Sequence, residues 1–528
     1  MKAARVAGLP VLLSHLIMYA FPLVVPAMTQ PPHVDTPIVP VTEREIRAVY
    51  FALMAVLGLG ALDQSIVATA LPRIVGDLGG MAHLSWVVTA YVLASTATMP
   101  LYGKLADQYG RRPMIFTALA TFLLGSVLCG MAQDMTQLIV FRAIQGIGSG
   151  GFMPLAQIII GDLVPPHERA RRQGSIAIVF AVTSILGPVL GGFMTDFLSW
   201  HWIFFINLPV GAFAFWSIAR SLRKPVLTHA HRIDYLGSIL LTGSIVALLL
   251  VLALGGTEWP WDAPQIKVCA ALAVVLGTWL VFHLRRAAEP VLPPDLFANR
   301  VFNIASLVMA LTFMGLMGAS VFFPLFFQLV MNSSPAHSGM LTVPMMVGMI
   351  IASTLNGKVL AKSNKYKQAQ IGGLVVAVLS FGVLAWGMDS GQGYAVIEPA
   401  IFMLGAGLGL VMPNMTIVVQ YALPVARRGV GTAMLTFFRS LGGLLGVTGS
   451  GAILAHQLHA HGIVAAASAG TGVVLDPALQ AIYRHAIANI FGAGTVIVLV
   501  GLVALLFLPH VSLPAQAAAP QPQAPAAE

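Results

Sequence analysis

The chain has 528 residues, of which 58% are hydrophobic and only 9% are charged. A soluble globular domain carries roughly a quarter charged residues, so this composition excludes an ordinary soluble protein. The formal net charge is +9. The basic residues lie in short loops and form no basic soluble domain, which excludes a nucleic-acid-binding domain.

Apolar runs recur along nearly the whole chain, and each is long enough to cross a bilayer as a helix. The runs are continuous and do not alternate, which excludes a membrane β-barrel. The sequence therefore predicts an all-α integral membrane protein with about fourteen transmembrane helices. The predicted spans are residues 48–72, 84–103, 113–132, 135–158, 174–195, 202–220, 234–254, 265–284, 302–328, 338–358, 369–388, 394–421, 430–455 and 486–508.

The two ends of the chain are predicted to lie outside the bundle. Residues 1–28 hold a basic start and an apolar run that resembles a signal peptide, but a cleaved signal or an extra span would contradict the charge pattern that follows. We expect residues 1–46 to be a cytoplasmic or interfacial extension, with Met28 as a candidate true start. Residues 509–528 are mostly Pro, Ala and Gln and are expected to be disordered.

The loops between the spans differ strongly in basic residues from one side to the other. If the N-terminal stretch is cytoplasmic, the outer loops keep only Arg73, Lys267 and Arg484. The inner loops hold Lys104, Arg111, Arg112, Arg169, Arg171, Arg172, Arg220, Arg223, Lys224, Arg232, Arg285, Arg286, Arg300, Lys358, Lys362, Lys365, Lys367, Arg427 and Arg428. This is the positive-inside rule, and it predicts that both termini are cytoplasmic.

Part of the chain repeats itself at an offset of 259 residues. Identical residues coincide in two stretches that both run from an apolar span into a basic loop. The first copy holds Gly146, Gly148, Gly150, Met153, Pro154, Pro165, Arg169, Leu186, Gly187 and Gly192, and the second holds Gly405, Gly407, Gly409, Met412, Pro413, Pro424, Arg428, Leu445, Gly446 and Gly451. Repeated membrane halves are typical of alternating-access transporters.

Two ionisable residues within the predicted spans are candidates for proton coupling. Asp63 is a little past the middle of the first span, where a carboxylate is costly unless it is paired, hydrated or protonated. Arg142 lies about two turns into the fourth span and needs an anion, a carbonyl or water, unless it extends to the outer face. Our hypothesis is that Asp63 carries a proton and that Arg142 tunes its pKa or stabilises a conformer. The alternative is that Asp63 is only a hydrogen-bonded structural residue. Arg439, in the thirteenth span, has no motif to assign it.

Two further segments are candidates for conformational gating. Residues 103–113 read Gly-Lys-Leu-Ala-Asp-Gln-Tyr-Gly-Arg-Arg-Pro, where glycines permit a tight loop and the aspartate can cap a helix or pair with a cation. Residues 187–192 read Gly-Pro-Val-Leu-Gly-Gly, which allows close helix packing and a bend. The predicted gating residues are Gly103, Asp107, Gly110, Arg111, Arg112, Gly187, Pro188, Gly191 and Gly192.

These segments resemble the signatures of the major facilitator superfamily and, within it, of the fourteen-span drug:proton antiporters of the EmrB/QacA type. The matching segments are residues 62–72, 103–112, 142–148, 174–192 and 200–211. Ser65 stands where threonine is usual, Thr183 where glycine is usual, and His201 where arginine is usual. The resemblance implies the major facilitator fold, with two six-helix halves plus two extra central helices. The expected division is an N-terminal bundle at 47–220, the extra helices and linkers at 221–300, and a C-terminal bundle at 301–508.

The resemblance also implies what the protein does. The implied function is that of a proton-coupled secondary transporter, which exports lipophilic, cationic drugs or toxic compounds across a bacterial inner membrane. Some relatives recruit a periplasmic adaptor and an outer-membrane channel, which are therefore expected partners. Methionine and aromatic side chains suit a surface that accommodates different ligands. The candidate residues of the substrate path are Gln64, Gln145, Phe322, Phe326, Gln328 and Glu398.

The alternatives to this function differ from it in cargo or in chemistry. A dedicated exporter of one metabolite, siderophore or antibiotic would have the same fold. A membrane-embedded enzyme acting on a lipid-linked substrate would need clustered acids, histidines or a metal site, and the sequence offers none. A phosphate-binding loop is not found, so ATP-driven transport is unsupported. No cofactor and no metal site are predicted. The cysteines Cys129 and Cys269 lie in apolar spans as small core residues.

Overall fold

A computed structural model describes residues 43–78, 84–163, 166–221, 234–255, 259–287, 289–333, 335–363, 366–424, 427–461, 476–509 and 511. These residues form helices and connecting turns, with an isolated bridge between Gly255 and Trp259 and no strand. The helices are α1 Glu43–Leu78, α2 Leu84–Tyr109, α3 Arg111–Gly130, α4 Met135–Ser149, α5 Phe152–Leu163, α6 Pro166–Phe197, α7 Trp202–Phe205, α8 Asn207–Ser221, α9 Tyr235–Leu254, α10 Pro264–Leu284, α11 Asp295–Ala298, α12 Arg300–Leu329, α13 Pro335–Met340, α14 Val343–Ser363, α15 Tyr366–Asp389, α16 Tyr394–Ala422, α17 Arg428–Ala460 and α18 Pro477–Leu506. The predicted all-α membrane fold is confirmed.

Twelve helical segments within the described residues are long and apolar enough to cross a membrane. Two more long helices, α2 and α6, carry charged residues near the end of α2 and the start of α6. With them, fourteen long helical segments lie where the spans were predicted. The predictions for residues 1–28 and for the tail fall outside the described residues, apart from a few positions after α18.

The glycines of the repeat explain why its two copies pack alike. A side chain at Gly146 would collide with the backbone of Tyr91 on α2, and one at Gly405 would collide with the backbone of Met345 on α14. Two residues further, on the opposite face of each helix, Gly148 touches α3 and Gly407 touches α15 in the same way. Glycine permits this close approach because it lacks a Cβ. Both copies therefore place a glycine-lined helix directly between two neighbours.

The N-terminal and C-terminal helices meet along two antiparallel contacts. Helix α2 packs against α17, and α6 packs against α14. The pair α9 and α10 lies beside this junction, where α9 touches both α2 and α17. Buried apolar side chains from residues 46–218 form clusters separate from the larger one, which consists mainly of residues after Leu240. Movement at the two helix contacts would thus leave most of each cluster intact.

Basic residues gather where the helices end on one side of the bundle. This basic end is defined by Lys104 at the end of α2, Arg111 and Arg112 at the start of α3, and Arg427 and Arg428 at the start of α17. Arg112 Nη2 donates to the carbonyl of Ala219, at the end of α8, over 3.3 Å. Arg111 also pairs with Asp162 near the end of α5, and Asp107 near the end of α2 contacts the start of α17, so these helix termini lie together.

Candidate functional site

Asp63 and Arg142 form a buried ion pair between α1 and α4. Arg142 Nη1 lies 2.6 Å from Asp63 Oδ2, and the two side chains are 1% and 0% exposed. Arg142 also donates through Nε to the carbonyl of Val87 on α2, at 3.3 Å. A buried charge pair is tolerated only when its remaining donors and acceptors are satisfied. The two polar residues singled out from the sequence are thus brought into direct contact.

Three neutral side chains complete this buried cluster. Gln145 Nε2 and Asn207 Nδ2 donate to Asp63 Oδ1 over 2.7 Å and 2.9 Å. Gln145 Oε1 accepts from Arg142 Nη1 at 2.8 Å, which fixes the orientation of its amide. Ser126 Oγ accepts from Asn207 Nδ2 at 2.9 Å and donates to the carbonyl of Phe204 at 2.8 Å. Asp63 is therefore held as an acceptor by three donors from two other helices.

The cluster is connected to an open cavity through Tyr91. The Arg142 guanidinium lies over the Tyr91 ring, 4.1 Å from its centroid, which is a favourable cation–π contact. The Tyr91 hydroxyl lies close to the side chains of Gln64 and Ser149. Gln64 is exposed and, with neighbours from α1 and α6, lines an open cavity of about 240 Å³. A ligand in this cavity could therefore disturb the ion pair without touching it. The cavity lining is Ala61, Gln64, Ser65, Phe180 and Thr183.

The predicted gating loop joins α2 to α17 at the basic end. Asp107 Oδ2 accepts from the backbone N–H of Val430 at 2.8 Å, and Oδ1 accepts from that of Gly429 at 3.2 Å. These N–H groups belong to the first turn of α17, which favours a negative charge. Arg111 pairs with Asp107 at 3.1 Å and with Asp162 at 3.0 Å. The basic end is thus closed by a capped helix terminus and a shared arginine.

Asp107 lies beyond the apolar stretch of α2, and its side chain is only 8% exposed. Burial raises the pKa of this carboxyl to about 6, against the lowering effects of the Arg111 charge and of the Val430 N–H. The contact is so tight that a side chain at Gly103 would collide with Ala433 and the backbone of Gly429. Gly110 has φ 93°, a conformation that favours glycine, and so allows the sharp turn from α2 into α3.

The glycines of residues 187–192 differ from one another in their surroundings. A side chain at Gly187 would collide with Ser65 on α1, and one at Gly191 would lie 3.0 Å from the Ile66 carbonyl. At Gly192 nothing lies within 4 Å. Pro188 belongs to the continuous helix α6, and its side chain lies outside the described set. Close α1–α6 packing therefore depends on the first two glycines only.

The candidates from the C-terminal helices do not gather at the ion pair. Phe322 and Phe326 are 5% and 1% exposed and belong to the large apolar cluster, so in this conformation they are core residues. Gln328 Nε2 donates to Ser338 Oγ at 3.0 Å, near the end of α12. Glu398 is half-buried in the second turn of α16. Their proposed contacts with a substrate remain predictions.

Sequence reasoning missed several members of the site. Asn207 and Ser126 contact the Asp63 cluster directly, Tyr91 covers Arg142, and Asp162 shares Arg111 with Asp107. Asn207 lies within the tryptophan-containing segment 200–211, which was noted for its resemblance and not for its chemistry. The available signal was an asparagine among apolar residues inside the predicted span 202–220.

Comparison with known proteins adds independent information. A family model described as Major Facilitator Superfamily matches residues 53–447. The chain is 40% identical over 402 residues to the multidrug transporter protein MdtP of Bacillus subtilis, covering 76% of this chain and 74% of that protein. It is 36% identical over 415 residues to multidrug resistance protein 3 of the same organism, covering 77% and 80%. The solved proton:xylose symporter XylE superposes with a TM-score of 0.57 at 15% identity, covering 88% and 96%.

Proposed function

Because the chain belongs to the Major Facilitator Superfamily, a family of multi-pass membrane transporters, we propose that it is a proton-coupled exporter of lipophilic compounds that works by alternating access. The similar bacterial proteins are named for multidrug transport and resistance, which supports export. Membership of a transporter family argues against the membrane-enzyme alternative. The observation that carries the proton coupling is the fully buried Asp63–Arg142 pair.

Asp63 has the properties that a proton carrier needs. Its charge is tolerable while Arg142, Gln145 and Asn207 bond to it. If Arg142 withdraws, the isolated carboxylate becomes costly in an apolar interior and takes up a proton. The conformation that holds the pair together therefore favours release, and the conformation that separates it favours uptake. One charge crossing the potential gains about 2.3 kcal/mol per 100 mV, which can drive uphill export.

Asn207 is suited to respond to the protonation of Asp63. Its Nδ2 donates to the carboxylate, while its buried Oδ1 has no hydrogen-bond partner among the described residues. A protonated carboxyl group becomes a donor and needs an acceptor. Rotation of the Asn207 amide by half a turn would offer Oδ1 to that proton, so the amide can satisfy both states of Asp63.

Cargo and proton communicate through Tyr91 in this proposal. A compound bound against Gln64 displaces this side chain, which lies close to the Tyr91 hydroxyl. Any displacement of Tyr91 alters the cation–π contact between its ring and the Arg142 guanidinium. The ion pair then responds to an occupied cavity, which is the differential contact that coupling requires.

The closed contact at the basic end corresponds to one side of the transport cycle. The Asp107 cap and the hydrogen bond from Gln420 Nε2 to the Gln157 carbonyl, 3.2 Å long, join N-terminal to C-terminal helices there. With the basic end cytoplasmic, as the positive-inside rule favours, the chain is closed to the cytoplasm. Export then requires Asp107 to leave α17 so that cargo can enter from that side.

Several finer expectations belong to this proposal. We place the chain in a bacterial inner membrane with both termini cytoplasmic, and in the fourteen-span drug:proton antiporter group. The proposed division is an N-terminal bundle at 47–220, extra helices and linkers at 221–300, and a C-terminal bundle at 301–508. A periplasmic adaptor and an outer-membrane channel are candidate partners.

The charge of the cargo is a separate question. The family resemblance predicts a cationic cargo. Asp63, however, is 0% exposed and occupied by three donors, so it offers no free charge to a cation in this conformation. Glu398 is the remaining acid on the candidate path and lies near the far end of α16.

The decisive experiment compares the unaltered protein with Asp63→Asn in proteoliposomes. Asparagine keeps the shape and accepts hydrogen bonds from Arg142 but cannot exchange a proton. We expect the variant to keep its fold at some cost in stability, to reach the membrane, and to lose substrate-dependent proton movement, measured with an entrapped pH-sensitive dye.

Two matched variants serve as controls. Asp262→Asn removes an exposed carboxyl outside the helices and should leave proton movement unchanged. Glu398→Gln tests the other membrane acid and should retain most of it. Proton-driven export that persists in Asp63→Asn would contradict the assignment of Asp63 as the proton carrier. Loss of proton-driven export in Glu398→Gln instead would assign that role to Glu398.

A further inference from the structure

Arg439 is a membrane-embedded cation that the proton-coupling site does not use. It lies in the fourth turn of α17, and its Nε atom is buried without a hydrogen-bond partner among the described residues. Its guanidinium carbon lies 5.1 Å from the centroid of the Phe313 ring on α12. None of the ion pairs in the described part of the chain includes it. A charge kept in such a place is a functional candidate, because it is otherwise costly.

No acid of the neighbouring helices is placed to neutralise Arg439. Helices α9, α12 and α18 contain no aspartate or glutamate. On α2, Asp107 caps Val430, which precedes Arg439 by nine residues, or about 13 Å along the helix. On α5, Asp162 is paired with Arg111 at the basic end. On α16, Glu398 lies near the opposite end. Arg439 is therefore a cation within the bundle that has no acidic partner among the described residues.

The walls beside Arg439 are apolar. Phe313 and Met317 are half-buried, and a side chain at Gly443, one turn beyond Arg439, would press against both. The next residue of α17, Ser440, approaches Met99 Sδ on α2 at 3.7 Å. A small hydrated anion would gain nothing from these walls. A compound with an apolar body and one anionic group would satisfy both the walls and the guanidinium.

We propose that Arg439 binds a carboxylate of the cargo, so that the compounds handled by this protein are lipophilic acids or zwitterions and not simple cations. The proposal rests on the export function and specifies its substrate class. The planar guanidinium can bind a carboxylate through two parallel hydrogen bonds, which an ammonium cannot reproduce. Contact of α17 with both α2 and α12 places the bound group where N-terminal and C-terminal helices meet.

The alternative is that Arg439 only packs on Phe313. That role would make Arg439 matter for stability and leave ligand choice unchanged. The two roles are separated by a pair of probes that differ in one charge. Rhodamine B carries a free carboxylate beside its cationic ring system, and its ethyl ester is a cation of nearly the same shape.

The experiment measures binding of both dyes to the full-length protein in lipid nanodiscs by fluorescence anisotropy. We expect the acid to bind about tenfold more tightly than the ester, a difference typical of one charge-assisted contact. Arg439→Gln should abolish that preference and leave ester binding unchanged, whereas Arg439→Lys should retain part of it. Arg484→Gln removes an arginine from α18 outside the proposed site and should leave the preference intact.

Equal or tighter binding of the ester by the unaltered protein would overturn the proposal, as would no measurable binding of rhodamine B. An undiminished preference in Arg439→Gln would overturn it as well. Thermal unfolding of each variant shows whether it is folded, and the Lys variant keeps the test valid if Gln is unstable. Binding needs no proton gradient, so failure of Asp63→Asn to stop export would contradict the coupling mechanism and not this assignment.

Discussion

Asp63 and Arg142 are separated by 79 residues in sequence and lie 2.6 Å apart in the interior, on α1 and α4. Both side chains are shielded from solvent, and each also bonds to Gln145. The pair thus behaves as one unit, in which the fate of either charge depends on the other. Its stability and its chemistry can be separated by mutation.

Removing Arg142 alone should be more damaging than removing both charges. Arg142→Gln leaves Asp63 as an unpaired buried carboxylate, and breaking such a pair lowers the free energy of unfolding by about 3–5 kcal/mol. In the double variant Asp63→Asn/Arg142→Gln no charge remains to be compensated. We expect it to recover part of the lost stability, measured as the unfolding transition of purified protein in detergent.

The corresponding single variant, Asp63→Asn, completes the cycle. If the destabilisations of the two single variants simply add in the double variant, the side chains are not coupled and the pair has no special electrostatic role. Neither the Arg142→Gln nor the double variant should support proton-coupled transport, since restored stability does not restore the exchangeable proton.

The spans and the main ionisable pair could be predicted from the sequence for simple physical reasons. The bilayer fixes the length of an apolar helix, so the helices lie close to the predicted ranges. Asp63 and Arg142 were conspicuous because a charge is rare in such a run. Glycine spacing in residues 187–192 likewise indicated close packing, which Gly187 and Gly191 show against α1.

The partners of the pair could not be predicted, because they depend on which helix faces contact each other. Asn207 bonds to Asp63 across 144 residues of sequence. Nothing in an apolar run states which side faces a cavity, so Phe322 and Phe326 were selected for the substrate path and are buried in the core. Arg439 was noticed in the sequence, but only the absence of a nearby acid makes it informative.

Close packing of α6 on α1 gives a prediction that distinguishes two glycines of the same helix. In Gly187→Ala the new methyl group would collide with Ser65, so α6 must move away from α1 at the cavity lining. In Gly192→Ala the methyl group meets nothing within 4 Å, and alanine favours the helix by about 1 kcal/mol over glycine. We expect export to fall at least several-fold in the first variant and to be unchanged in the second, measured as dye efflux from cells at matched expression.

Similar effects of the two alanine substitutions would contradict this explanation. They would indicate that the segment acts through its general flexibility and not through contact with α1. Gly277→Ala, on α10 and also without a neighbour within 4 Å, provides an independent reference for a helix glycine in open space.

The contact of Asp107 with α17 should depend on pH. Burial raises the pKa of this carboxyl to about 6, although the Arg111 charge and the Val430 N–H oppose that shift. When the basic end opens, Asp107 becomes hydrated and its pKa returns toward the usual value near 4. The closed state therefore binds the proton more tightly. Closure should be favoured progressively as the pH falls from about 6 to about 4. Above pH 6 Asp107 is ionised in both states, so protonation contributes no free energy to closure.

Spin labels at Tyr109→Cys and Pro424→Cys, two exposed positions at the basic end, report the separation of α2 from the segment before α17. We expect the short-distance population to grow as the pH is lowered through 6. In Asp107→Asn, which keeps the side-chain size but cannot titrate, the distribution should no longer change over this range. A short-distance population that grows with rising pH would mean that the ion pair with Arg111 outweighs burial. The charged form of Asp107 would then be the one that closes the basic end.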